Sequence, residues 1–206
     1  MAGVREQAAR RTRIGLLGGS FNPVHLGHVQ AADIFTEALG LDMVLVIPSS
    51  YPFYKLTALT DYRDRMAMCL LAFEGKQVVV SDMEKERPGG MLTCDVVSHA
   101  RVQYPAAELF LLVGDDVMAK MPKWMGIETI IQESRIGVLS RSGFLHRHAE
   151  LERMGARIDV IMEETLPYSS SMVRSAIADG NPIASMVPGA VAEYIRLHGL
   201  YRIVTM

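Results

Sequence analysis

Six short apolar runs recur along the chain: 14-IGLLG-18, 43-MVLVIP-48, 78-VVVSDM-83, 109-LFLLVG-114, 136-IGVLS-140 and 158-IDVIM-162. Each is close to continuous in aliphatic and β-branched residues, the pattern of a strand covered on both faces, as in a parallel sheet. Helical periodicity fills several of the intervals, at 26-LGHVQAADIFTEALG-40, 61-DYRDRMAMCLLAF-73 and 94-CDVVSHARVQY-104. Strands that alternate with helices build βαβ units with right-handed crossovers. The expected fold is therefore α/β, a doubly wound and mainly parallel sheet. Asp61 is placed to cap one helix start, and Gly40 and Gly75 to end two others.

After the last run the character changes. Residues 168-YSSSMVRSAIADG-180 read as a short serine-capped helix stopped by Gly180 and Pro182. A second helix, 188-PGAVAEYIRLHGLY-201, has Pro188 at its start and Gly199 at its end. This helical tail, 168–201, is expected to pack on the sheet, so that residues 13–206 form a single domain. Residues 1–12 carry arginines but no apolar stretch, which reads as a flexible arm and not as a secretory signal.

No apolar run approaches the roughly 20 residues of a membrane span. The formal charge of −2 argues against a protein that coats nucleic acid, while leaving room for a local basic pocket. Cys69 and Cys94 share no metal-like spacing and are expected as buried free thiols in a reducing compartment, with a disulfide left open. The expected location is the cytoplasm. Periodicity does not decide the oligomeric state, and a homodimer stays open.

The first apolar run leads into 18-GGSFNPVHLGH-28. In open α/β sheets, ligands bind at the carboxyl ends of strands beside a topological switch point. Gly18 and Gly19 allow a sharp turn and close approach of backbone to ligand, and the following helix N-terminus favours anionic oxygens. The loop is neither the dinucleotide fingerprint nor a P-loop, since it lacks their glycine and lysine spacing. In their place stand His25 and His28, three apart on a first helical turn, with room for a bulky group left by Gly27. Two imidazole donors aimed at one point suit a phosphoryl group gaining negative charge. A structural role for His25 and a zinc site are the competing readings; for zinc, no third ligand is apparent nearby.

A second constellation is 169-SSSMVR-174. Ser169 to Ser171 would cap a helix and Arg174 would lie on its first turn, where an ordinary N-cap is worth about 1 kcal/mol. Three hydroxyls with an arginine exceed what a cap needs. They match what a polyphosphate needs: N–H donors, O–H donors and a planar cation.

The segment GGSFNPVHLGH resembles the (H/T)xGH signature of the nucleotidylyltransferase superfamily. In particular it is similar to the GG(S/T)F(D/N)PxHxGH form of the nicotinate-nucleotide adenylyltransferases. SSSMVR is similar to that family's SSTxIR motif, with Ser171 for threonine and Val173 for isoleucine. VPGAVAEYIRLHGLY is similar to its VPxxVxxYIxxxGLY ending. The three motifs are collinear from about residue 13 to residue 202, and together they are specific.

The resemblance implies a Rossmann-like nucleotidylyltransferase fold and transfer of an adenylyl group from ATP to nicotinate mononucleotide, with release of pyrophosphate. A magnesium ion held mainly by the ATP phosphates would share their charge. It further implies catalytic roles for His25, His28 and Arg174, with His28 nearest the α-phosphate. Gly18, Gly19, Ser20 and Phe21 would line the ATP, Asp116 of 113-VGDD-116 would meet ribose hydroxyls, and Ser170 and Ser171 would join Arg174 on the leaving phosphates. On the acceptor side it implies Lys55, Thr93, Asp95, Trp124 and Arg141.

Departures cluster on that side. Where the family has PPHK this chain has 52-PFYK-55, keeping Lys55 but placing Tyr54 at the histidine. In the YTxDT segment, Leu92 replaces the tyrosine and Val96 the second threonine. Nicotinamide mononucleotide or another phosphorylated acceptor therefore stays an alternative. A non-catalytic nucleotide sensor is a further one, disfavoured by the retention of both histidines and Arg174, and a dehydrogenase is weaker still.

Overall fold

The computed structural model describes residues 10–50, 60–86, 90–140 and 149–202. Lys55, Tyr54 and Arg141, the bulk of the expected arm, and most of the 49–59 loop lie outside them.

Six parallel strands form one sheet: β1 (Arg13–Gly19), β2 (Met43–Pro48), β3 (Val78–Val80), β4 (Glu108–Gly114), β5 (Arg135–Ser140) and β6 (Ile158–Met162). Their order is β3-β2-β1-β4-β5-β6. The order reverses between β1 and β4, which pair directly with Ile14 opposite Leu109. The carboxyl ends of those two strands define the switch-point crevice of a Rossmann-like fold.

Side chains divide between two cores with a period of two. Ile14, Leu16, Leu45, Ile47, Leu109 and Leu111 enter one core, and Leu17, Val44, Val46, Phe110 and Leu112 the other. The strands read as continuous apolar runs because both faces are covered. Helices α1 (Leu26–Leu39) and α2 (Tyr62–Ala72) cover the second face. They are joined there by α7 (Ser170–Ala178) and α8 (Gly189–His198), through Val173, Val191 and Ile195. The opposite face is covered by α3 (Thr93–Gln103), α4 (Asp115–Met118), α5 (Ile127–Glu133) and α6 (Ala149–Arg153). Helix α1 lies close on the sheet: a Cβ at Gly137 would fall 2.9 Å from Leu39 Cδ1.

Helix ends follow the expected chemistry. Asp61 caps α2 by accepting the Arg63 N–H at 2.7 Å. Gly40 ends α1 in the left-handed conformation, while Gly75 takes that conformation two residues beyond Phe73, the residue that closes α2. Ser169 caps α7, accepting the Met172 N–H at 3.2 Å.

Two expectations change. The third strand ends at Val80 and not at residue 83, because β3 is an edge strand and Met83–Glu86 turn into a 3-10 helix that buries Met83 and Glu84. Of the two thiols, both free, Cys69 is buried but Cys94 only half-buried. Burial pushes the Cys69 thiol up to about 12, so it is an inert packing residue.

Candidate active site

The loop from β1 to α1 turns by a different device from the one its glycines suggest. Gly18 and Gly19 remain in the strand, and the reversal is made by Phe21, at φ +44°, followed by a cis Asn22–Pro23 peptide. Gly18 serves close approach, since nothing lies within 4 Å of where its Cβ would be. Gly19 admits the Phe21 ring, which a Cβ would meet at 3.2 Å. Phe21 is buried and Ser20 nearly so, so what these two offer a nucleotide is mainly backbone.

His25 is the N-cap residue of α1, and its carbonyl accepts the His28 N–H at 2.9 Å. In return the His25 N–H donates to His28 Nδ1 at 3.2 Å, a histidine version of the capping box. That bond assigns the tautomer. With Nδ1 accepting, a neutral His28 carries its proton on Nε2, as a donor. The two rings lie 3.7 Å apart between centroids, and Phe21 lies 4.8 Å from His28 on another side. The space left by Gly27 is taken by His25 itself: a Cβ there would stand 3.0 Å from His25 Nδ1. The glycine makes room for the His25 ring.

The second motif docks onto the first across more than 140 residues of sequence. Ser170 Oγ donates to the Pro23 carbonyl at 2.8 Å, and Arg174 Nη1 to the Asn22 carbonyl at 2.7 Å. Arg174 Nη2 also donates to Ser171 Oγ at 3.3 Å. With Ser169 as N-cap, Arg174 falls just beyond the first turn of α7. The Ser170 hydroxyl is committed to the loop, whereas Ser171 is exposed at the helix N-terminus. A helix start, an arginine and two imidazoles thus gather at one loop, which suits an anion with several oxygens.

Across the switch point, Asp116 is exposed at the start of α4 after β4, folded back so that a Cβ on Gly114 would meet its Oδ1 at 2.9 Å. The remaining described residues expected on the acceptor side lie at the start of α3 and just before α5. Thr93 opens α3, and the Asp95 carboxylate accepts the Leu92 N–H at 3.1 Å. Half-buried Trp124 lies two residues before Gly126, whose φ is +71° and whose missing Cβ would lie 2.5 Å from Cys94 Sγ. Trp124 is thereby held beside the first turn of α3. Among the described residues no three His, Cys, Asp or Glu side chains converge on a point. A metal ion arriving on a polyphosphate takes its ligands from phosphate oxygens, and the imidazole, guanidinium and N–H donors here suit the phosphates themselves.

A cytidylyltransferase-like family model matches residues 16–176. A probable nicotinate-nucleotide adenylyltransferase of Gemmatimonas aurantiaca is 39% identical over 196 residues, covering 92% of each chain. The chain belongs to the nicotinate-nucleotide adenylyltransferase family. A Neisseria meningitidis serogroup B relative of the same description is 35% identical over 198 residues, 92% of this chain and 98% of its own. The fold is similar to that of the Plasmodium falciparum nicotinic acid mononucleotide adenylyltransferase complexed with NaAD. The TM-score is 0.78 at 18% identity, over 93% of this chain and 98% of that one.

Within this adenylyltransferase family member, one departure turns out to be a packing matter. Val96 is one of the α3 residues buried in the core. Polar contacts that the sequence reading did not foresee also shape the site. Asn22 Oδ1 accepts from the Tyr201 hydroxyl at 2.9 Å and from the Thr60 N–H at 3.4 Å. Arg65, 1% exposed, reaches three carbonyls from α2. Glu84 accepts the Ser50 N–H at 2.9 Å, and burial pushes its carboxyl above the ordinary range. Arg65 was discoverable: it shares a helical face with buried Met68, Cys69 and Ala72, three, four and seven residues on.

Proposed function

We propose that the protein transfers an adenylyl group from ATP to nicotinate mononucleotide, yielding nicotinate adenine dinucleotide and pyrophosphate. The observation that carries this reading is the docking of Ser170 and Arg174 onto the Asn22–Pro23 carbonyls beside the closely packed His25–His28 pair. An oxygen of the mononucleotide 5′-phosphate forms a bond to the α-phosphorus while the bond to the β-phosphate oxygen breaks. The electron pair leaves with pyrophosphate. A phosphate dianion is already a nucleophile, so the chain needs no general base. Its task is positioning and charge stabilisation.

In this assignment His28 Nε2–H donates to the α-phosphate, and His25, packed against it, fixes its ring. Arg174, Ser171 and the N-terminus of α7 hold the departing β- and γ-phosphates, with Gly18, Gly19, Ser20 and Phe21 supplying backbone along the tail. Asp116 takes ribose hydroxyls. Thr93, Asp95 and Trp124, with Lys55 and Arg141, receive the mononucleotide. Magnesium bound to the polyphosphate would share its charge. Residues 13–206 act as one unit, and two free thiols fit a reducing compartment such as the cytoplasm.

The test is pyrophosphate release with ATP, Mg²⁺ and a panel of mononucleotides. Release with nicotinate mononucleotide, well above that with the amide, is expected. Preference for the amide or another phosphorylated acceptor would replace the acceptor assignment, and ATP binding without turnover would overturn the reading. His28→Ala is expected to lower turnover by about 10²–10³, as loss of an oxyanion donor does, with the fold intact by circular dichroism.

A further inference from the structure

Arg65 has no carboxylate ion-paired to it among the described residues, yet it is buried where a charge is costly. All three of its hydrogen-bond acceptors are main-chain carbonyls. Nη1 donates to Ser20 O and to Ser49 O, each at 2.8 Å, and Nε donates to Thr60 O at 3.0 Å. Ser20 follows the carboxyl end of β1 and Ser49 that of β2, while Thr60 precedes α2. A hydrophobic side chain of similar volume would fill this space without the desolvation cost. What it would not do is join these three points.

The Ser20 carbonyl belongs to the amide whose N–H is that of Phe21, in the loop that the proposed reaction assigns to the phosphates. Hydrogen bonding to a cation at the carbonyl polarises that N–H into a stronger donor. The Ser49–Ser50 amide is held at both ends, its carbonyl by Arg65 and its N–H by Glu84. Ser49 N–H itself donates to Gly19 O at 2.8 Å, and Thr60 N–H to Asn22 Oδ1 at 3.4 Å. Ser49 and Thr60 flank the stretch of sequence that contains Lys55.

We propose that Arg65 is a positioning residue for adenylyl transfer, fixing the acceptor-side backbone at Ser49 and Thr60 against the phosphate loop at Ser20. It touches neither substrate. It sets the distance between the two chain segments that hold them, and an ångström of misplacement between reactants is worth up to about 10² in rate.

This inference rests on the proposed reaction, and its test separates the two. Arg65→Lys and Arg65→Met are compared with wild type for ATP affinity by calorimetry, kcat and mononucleotide KM by pyrophosphate release, and thermal midpoint. Arg65→Lys keeps the charge and enough donors for two carbonyls. It is expected to stay folded and to bind ATP within about threefold of wild type. Its kcat is expected to fall about tenfold and its mononucleotide KM to rise. Arg65→Met is expected to lose about 10², the lysine thus rescuing part of the effect. Wild-type kinetics for both substrates in Arg65→Lys would overturn the proposal. So would losses in both variants that merely track the fraction unfolded, or failure of both to fold, since the arginine would then serve stability alone. Wild-type turnover of nicotinate mononucleotide tests the reaction itself; the ratio of variant to wild type tests Arg65.

Discussion

His28 works at both ends of its ring. Nδ1 secures the start of α1 by accepting the His25 N–H, and in a neutral ring that contact leaves Nε2–H as a donor, the one the proposed reaction directs at phosphate. His25 is held differently, buried as the N-cap residue and packed at a tilt against its neighbour in the space a Cβ at Gly27 would enter. Gly27→Ala therefore separates stability from activity. In a helix, alanine is favoured over glycine by up to about 1 kcal/mol. The new methyl, however, would press on His25 at 3.0 Å, while meeting the Tyr168 carbonyl in ordinary contact at 3.5 Å. The variant is expected to melt within a few degrees of wild type while kcat drops at least about tenfold, through a displaced imidazole. A fully active Gly27→Ala enzyme would show that the packing of the two imidazoles does not matter.

Helix α7 matters because of where its first turn is moored. Ser170→Ala removes the bond to Pro23 O, worth about 1 kcal/mol, while leaving the Ser169 cap. The expected result is a small fall in denaturation midpoint with a several-fold weaker ATP affinity, read by urea titration and calorimetry. Unchanged affinity would place the mooring outside the nucleotide site. This contact also marks the limit of what the sequence conveys. The strands were legible because each is buried on both faces, and the long helices because their apolar spacing and caps are local. The SSSMVR and GGSFNPVHLGH motifs were legible as chemistry. That one would donate hydrogen bonds to the other's carbonyls was not, because the contact joins residues more than 140 apart and no local spacing encodes it. Helix α5 was overlooked although Ile127, Ile130 and Ile131 carry a helical spacing, and Arg65 because a charge amid DYRDR reads as solvent-facing.

On the scale of the molecule, the switch point between β1 and β4 brings parts from the whole length of the chain to one edge of the sheet. Tyr201, near the carboxyl end, reaches back to Asn22 in the first loop. The closure of this edge rests on buried polar groups, and one of them carries a pH signature. Glu84, 5% exposed, is raised above the ordinary value of 4.5 chiefly by burial, with the Ser50 N–H and the Arg65 charge opposing. A raised folded value means the native state holds this proton more tightly than the unfolded chain does. Glu84 therefore contributes stability that is fully present below pH 4.5 and is lost as pH rises through the folded value. Glu84→Gln keeps an acceptor for the Ser50 N–H and cannot ionise. In urea titrations from about pH 4.5 upward, wild-type stability should fall relative to Glu84→Gln and then level once the carboxylate has formed. A difference that stays flat, or that grows in favour of wild type as pH rises, would mean that Arg65 and Ser50 compensate the burial in full.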